Sequence, residues 1–253
     1  DESGTLVGDP GSNRFRVTYM PNDINYNTVK GEVTVKATAN KGYVFVCWLD
    51  ENGETIKDFH NMEFRLQQLH EMVEKDPVGR VSEPQVQEML VEIEKRAEEM
   101  CKAERMGREG ILPKRDTKVN NMMFDENDNV LCVIDLDTVM PNFIFSDYGD
   151  FLRTGANAVA EDCPDMDKVQ FRRDIYEAFT EGYLESAGSF LLPVERENLP
   201  YAVALFPYMQ CVRFLWDYLN GDKYWKCQYP THNFVRANNQ LHLLFSIEKE
   251  LGL

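Results

Sequence analysis

Basic residues are scarce in this chain: 27 Lys and Arg stand against 43 Asp and Glu over 253 residues, a formal net charge of −16 at pH 7. That deficit excludes a nucleic-acid partner, because phosphate backbones are held by clustered cations. Any polyphosphate ligand needs a metal ion and a local basic group to offset the acidic field. Long apolar runs are missing too, and none approaches the ~20 residues of a membrane-spanning helix. The six cysteines, Cys47, Cys101, Cys132, Cys163, Cys211 and Cys227, include no CxxC pair. Most sit inside apolar runs, so reduced core thiols are expected in place of a zinc site or a disulfide frame. The opening "DESGTLVGDPGSNRF" has neither a basic nor an apolar region and does not read as a signal peptide.

What is present suffices for a globular core, since 43% of the residues are hydrophobic. From Arg14 to about Asn52 the pattern is β: "RFRVTY", "GEVTVKAT" and "YVFVCWL" cluster β-branched and aromatic residues between Asn, Asp and Gly turns. After Asp58 the period changes, and Met62, Leu66, Leu69 and Val73 fall on one helical stripe. A long helix is predicted from Ser82, with Ser82 and Gln85 as a capping box, Pro84 in the first turn and Gly110 as the C-cap. Three further segments, 167–187, 197–221 and 236–251, carry helical apolar spacing. The expected fold class is α+β: a small all-β module, residues 1–52, then a mainly helical domain, residues 53–253, with one embedded β-hairpin.

The hairpin falls in "ILPKRDTKVNNMMFDENDNVLCVIDLDTVMPNFIFSDYGD", residues 111–150, which admits three chemistries. Asp125, Asn127 and Asn129 match the first ligands of a calcium loop, but Val130 replaces the turn glycine and Leu136 the bidentate Glu. "DENDN" is therefore expected to be a turn. "VLCVIDLDTV" resembles the nucleophile motif of haloacid-dehalogenase-type phosphatases, yet the strand–helix alternation of that fold does not follow. A kinase arrangement uses the whole stretch. Asp116 would orient or deprotonate a hydroxyl, Asn121 would reach a metal, and the hairpin would return Asp135 to the same ion. One amide and one carboxylate suit Mg²⁺, which keeps places for phosphate oxygens.

These residues carry a family resemblance, together with "GETIKDFHNMEFRLQQL", "SDYGDFLRTGAN", "MQCVRFLWDYLNGDKYW" and "YPTHNFVRANNQ". Residues 53–253 resemble the C-terminal lobe of aminoglycoside-phosphotransferase-like kinases, in particular the N-acetylhexosamine-kinase-like branch. The resemblance implies Asp116 as the catalytic Asp and Asn121 and Asp135 as Mg²⁺ ligands. Lys118 would be a contact to the phosphates of ATP, with Asp137 beside it. Arg213, Tyr224 and Trp225 match positions used around a hexosamine, and an Arg fork with aromatic faces suits sugar hydroxyls and C–H patches. Helix-end packing is the plain alternative for the two aromatics.

Two departures accompany the resemblance. The family's Lys-Arg-x-x-His-x-Asp run is shortened to "LPKRD", which leaves Lys114 where a His is expected. A shift of ~1 Å at a catalytic group slows a reaction ~100-fold. In place of a nucleotide-covering N-lobe stands "GEVTVKATANKGYVFVCWLDENG", which resembles an internalin-type bacterial surface repeat through Gly42, Tyr43, Phe45 and Trp48. Residues 1–52 offer Lys30, Lys36 and Lys41 but no Gly-rich phosphate loop. The implied activity is Mg²⁺-dependent transfer of the ATP γ-phosphoryl to a small sugar-like acceptor, impaired by these departures. The alternative is a surface-repeat interaction protein with a degenerate kinase lobe. The kinase half points to the cytoplasm and the repeat to export. A lobe without its partner exposes apolar surface, so self-association is expected.

Overall fold

The computed structural model describes residues 5–8, 15–18, 58–117, 122–124, 130–133 and 140–253, with side chains over 58–114 and 142–253. The chain divides into two units, Asp1–Phe45 and Val46–Leu253. In the first, β1 (Thr5–Gly8) pairs antiparallel with β2 (Phe15–Thr18). β2 lies within "RFRVTY"; "GEVTVKAT", "YVFVCWL" and the Gly42–Trp48 signature lie outside the described residues. β1 is too short to announce itself, since "TLVG" holds barely one period of alternation.

The described part of the second unit is mainly helical. α1 (Met62–Lys75) starts where the Asn61 side chain accepts the Phe64 N–H at 3.1 Å, and it buries Met62, Leu66, Leu69 and Met72. It stops at Asp76, whose backbone is left-handed at φ 34°. The Asp76 carboxylate then takes the N–H groups of Arg80 and Val81 and turns the chain toward α2 (Pro84–Met100). Glu83, not Ser82, occupies the N-cap, and the expected capping box does not form because Gln85 donates sideways to Glu83.

The single helix expected to reach Gly110 is split at Cys101 into α2 and α3 (Lys102–Arg108). Tyr201 accounts for the break. Its buried hydroxyl donates to the Met100 carbonyl at 2.8 Å and accepts the Ala103 N–H at 3.2 Å, so it serves backbone groups that the break sets free. Gly110, at φ 70°, still ends the segment.

Next come β3 (Arg115–Thr117), β4 (Met122–Phe124), β5 (Val130–Val133) and β6 (Met140–Asn142). β3 pairs antiparallel with β6, Asp116 opposite Pro141; β4 pairs antiparallel with β5, Met122 opposite Val133. Among the described residues these are separate two-stranded pairs.

The helices that follow are α4 (Phe145–Gly155), α5 (Arg173–Ala187), α6 (Pro193–Glu197), α7 (Leu199–Leu219) and α8 (His232–Leu251). α7 is the core element. It is apolar almost all round and packs against α8, α4 and α1, which fits a helix buried on every side. Each fully buried side chain such as Phe214, Leu215 or Leu243 contributes ~1.5–3 kcal/mol. α4 approaches α7 at Gly149, where an added Cβ would lie 2.3 Å from the Ala202 carbonyl oxygen. Cys101 and Cys211 are buried free thiols, and burial pushes the Cys101 thiol up to about 12. No helix among the described residues is long and apolar enough to cross a membrane.

Candidate functional site

Asp116 is the middle residue of β3, and its backbone faces Pro141 on β6. Its side chain, together with Lys118, Asn121, Asp135 and Asp137, lies outside the described residues. Around the start of β3 a cavity of about 580 Å³ is lined by Asp58, His60, Glu104, Leu112, Lys114 and Asn142, among others. Asn142 is the Cα partner of Arg115, and its side-chain amide lies 3.2 Å from His60 Nδ1. His60 is far from the motif in sequence, yet the fold brings it to the strand that flanks Asp116.

Glu104 is the buried carboxyl of this cavity. Its Oε1 accepts the Met62 N–H at 2.6 Å, which caps α1 from a distance. Its Oε2 has no hydrogen-bond partner among the described residues. Burial raises its pKa, because the charged form loses hydration that one amide only partly replaces.

The three residues assigned to the acceptor come together. Arg213 from α7 and Tyr224 and Trp225 from the loop after it line one pocket of about 280 Å³. The Arg213 guanidinium lies 5.3 Å from the Trp225 ring centroid and 4.8 Å from that of Phe59. Tyr224 is exposed at 61% and stands edge-on to Trp225, with centroids 4.6 Å apart. Packing alone does not describe Tyr224. Trp225 has both roles, lining the pocket while resting on Phe214 of the core.

α1 completes the pocket with Phe64, Arg65 and Gln68, a contribution that sequence reading missed. These residues flank the apolar stripe of α1, and periodicity assigns such positions to solvent. The pKa values of Arg65 and Arg213 are both depressed. Burial, then the Arg213 charge, lowers the Arg65 pKa to about 10. Burial also lowers that of Arg213, which Tyr224 partly offsets.

Asp217 is the second omission. It is fully buried on α7 and accepts the N–H groups of Lys223, Tyr224 and Trp225 at 3.0, 2.8 and 3.0 Å. Asn233 of α8 donates to it at 2.8 Å. Asp222, 2.5 Å from Arg80, ties the same loop to the α1–α2 connection. An Asp inside "FLWDYL" is the available signal, since a carboxylate within an apolar run must find donors.

The described chain is thus a mainly helical domain in which Asp116 lies on a short strand and a separate pocket is walled by α1 and α7. The model of the Phosphotransferase enzyme family (APH) matches residues 50–190, more than half of the chain. The chain belongs to that family. A second model, the Divergent InlB B-repeat domain, matches residues 16–73. The two matches overlap on residues 50–73, which include most of α1.

Proposed function

We propose that residues 53–253 carry out Mg²⁺-dependent transfer of the ATP γ-phosphoryl to a hydroxyl of a small sugar-like acceptor, with turnover reduced by the shortened "LPKRD" run. The observation that carries this reading is the meeting of Arg213, Tyr224 and Trp225 in one pocket. Asp116 takes the acceptor's hydroxyl proton as its oxygen attacks the γ-phosphorus, and ADP leaves. Lys118 contacts the nucleotide phosphates. Asn121 directly precedes β4, and Asp135 follows β5 by two residues, where the ladder pairs Met122 with Val133. Their amide and carboxylate oxygens form a donor set that suits Mg²⁺, which when bound neutralises phosphate charge. Arg213 and the aromatic faces orient the acceptor, and much of such catalysis is positioning.

A thermal-unfolding titration with Mg²⁺-ATP tests this reading, run beside Asp135→Asn. A ligand that binds only the folded state adds ~2.7 kcal/mol at 100 times its Kd. The expected result is a rise in Tm that requires Mg²⁺ and disappears in the variant. No rise at millimolar nucleotide would overturn it. The repeat match over residues 16–73 would then favour an interaction protein with a degenerate kinase lobe.

A further inference from the structure

Two guanidinium groups, Arg65 and Arg213, line the pocket between α1 and α7, and no carboxylate is among its lining residues; Asp58 and Asp150 act on them only as neighbouring charges. Several other half-buried or buried arginines are ion-paired, Arg80 with Asp222, Arg96 with Glu92 and Glu248, and Arg153 with Asp150 and Glu161, whereas Arg105 and Arg236 have no ion pair among the described residues. Arg65 and Arg213 make no such ion pair among the described residues. Arg65 directs Nε and Nη2 to the Phe59 carbonyl at 3.1 and 2.7 Å, and Nη1 to Gln68 at 2.9 Å. Arg213 gives Nη1 to Gln210 at 2.8 Å. Tyr224 also shares a hydrogen bond with Arg213. A guanidinium has five N–H donors, so among the described residues some on each group are left for a ligand.

From this geometry we infer that the acceptor bears an anionic group, a carboxylate or a phosphate, that is clamped between Arg65 and Arg213. The inference rests on the assignment of this pocket to the acceptor. Phe59 touches both cations, 5.8 Å from Arg65 and 4.8 Å from Arg213, and Phe64 flanks Arg65 at 5.5 Å. Such apolar walls weaken screening, so an oxyanion gains more here than in water. Burial and then the Arg213 charge lower the Arg65 pKa, and the repulsive part is relieved when a negative charge enters between the two groups. The same arrangement disfavours a cationic amine. The hexosamine implied by the family resemblance is therefore the wrong charge type unless its nitrogen is neutral. A volume of about 280 Å³ restricts the occupant to a small molecule, below the ~300–1,000 Å³ of typical ligand pockets.

The test is equilibrium binding by calorimetry to the full chain, without nucleotide, of glucose, glucosamine, glucuronate and glucose 6-phosphate. At least one anionic sugar should bind tenfold or more tighter than glucose, with glucosamine weakest. The carboxylate and phosphate arms decide which anion the clamp takes. Arg65→Gln should cut the anionic affinity by roughly ten- to a hundredfold, the usual effect of losing a charged hydrogen-bond partner, with glucose changed far less. Arg65→Lys should recover part of the loss. Equal binding of glucose or glucosamine, no binding of any of the four, or an anion preference that survives Arg65→Gln in a folded variant would each overturn the inference. If Arg65→Gln does not fold, the ranking of the four sugars on the parent chain decides. The Mg²⁺-ATP titration reads the other half of the site. A nucleotide response without an anion preference removes this inference alone, whereas an anion preference without a nucleotide response removes the phosphotransfer reading alone.

Discussion

The carboxylate of Asp217 holds three successive backbone N–H groups and one side-chain amide, and that grip fixes the loop presenting Tyr224 and Trp225. Asp217→Asn keeps the size but turns an N–H toward donors that need an acceptor. The expected loss is about 2–4 kcal/mol of stability, because buried donors are left without partners. Sugar binding in the pocket should be lost with it, even at temperatures where far-UV dichroism stays native. Urea denaturation and calorimetry on the variant check both; unchanged binding would show that the loop keeps its shape without the carboxylate. Sequence pattern singled out Arg213, Tyr224 and Trp225, which meet in one pocket, and missed those that hold or complete the wall, Asp217 and Arg65. The reason is physical: an Arg fork and aromatic faces advertise their chemistry, whereas the donors that Asp217 satisfies are main-chain amides, and every residue except proline has one.

Among the elements, α7 decides the arrangement, and α4 approaches it closely at Gly149. A methyl group there would meet the Ala202 carbonyl oxygen, a backbone atom that cannot rotate aside. Gly149→Ala should therefore destabilise the fold by about 1–3 kcal/mol, the usual range for overpacking. Gly182 on α5 is the matched control, since its Cβ would meet nothing within 4 Å. Gly182→Ala should be neutral or stabilising by up to ~1 kcal/mol. Urea midpoints of the two variants give the comparison, and equal shifts would contradict the close approach. The apolar period placed α1, α5, α7 and α8 in the sequence, but it carried the long helix straight through Cys101. That break depends on a tyrosine about a hundred residues away, and no local pattern records such a partner.

For the molecule as a whole, Glu104 makes stability depend on pH in a direction unusual for a carboxylate. Burial raises its folded pKa above the ~4.3 of an unfolded Glu, so the folded state keeps a proton that the unfolded chain has released. Its stabilising contribution is fully present below about pH 4.3 and is lost as pH rises through the folded value. Glu104→Gln retains an oxygen for the Met62 N–H and removes the titration. The Tm of the variant should exceed that of the parent by a margin that widens from pH 4.5 to pH 7.5. The repulsion of a chain at −16 is nearly common to both proteins and cancels in the difference. Parallel curves would place Glu104 in contact with water. The loop beyond α7 has a different kind of reach. Asp217 grips main-chain amides and leaves the side chains at positions 223, 224 and 225 out of the latch. The loop is thus a socket with replaceable fittings: new side chains can be set at the mouth of the pocket without redesigning what holds them, and a change of ligand can precede any change of scaffold.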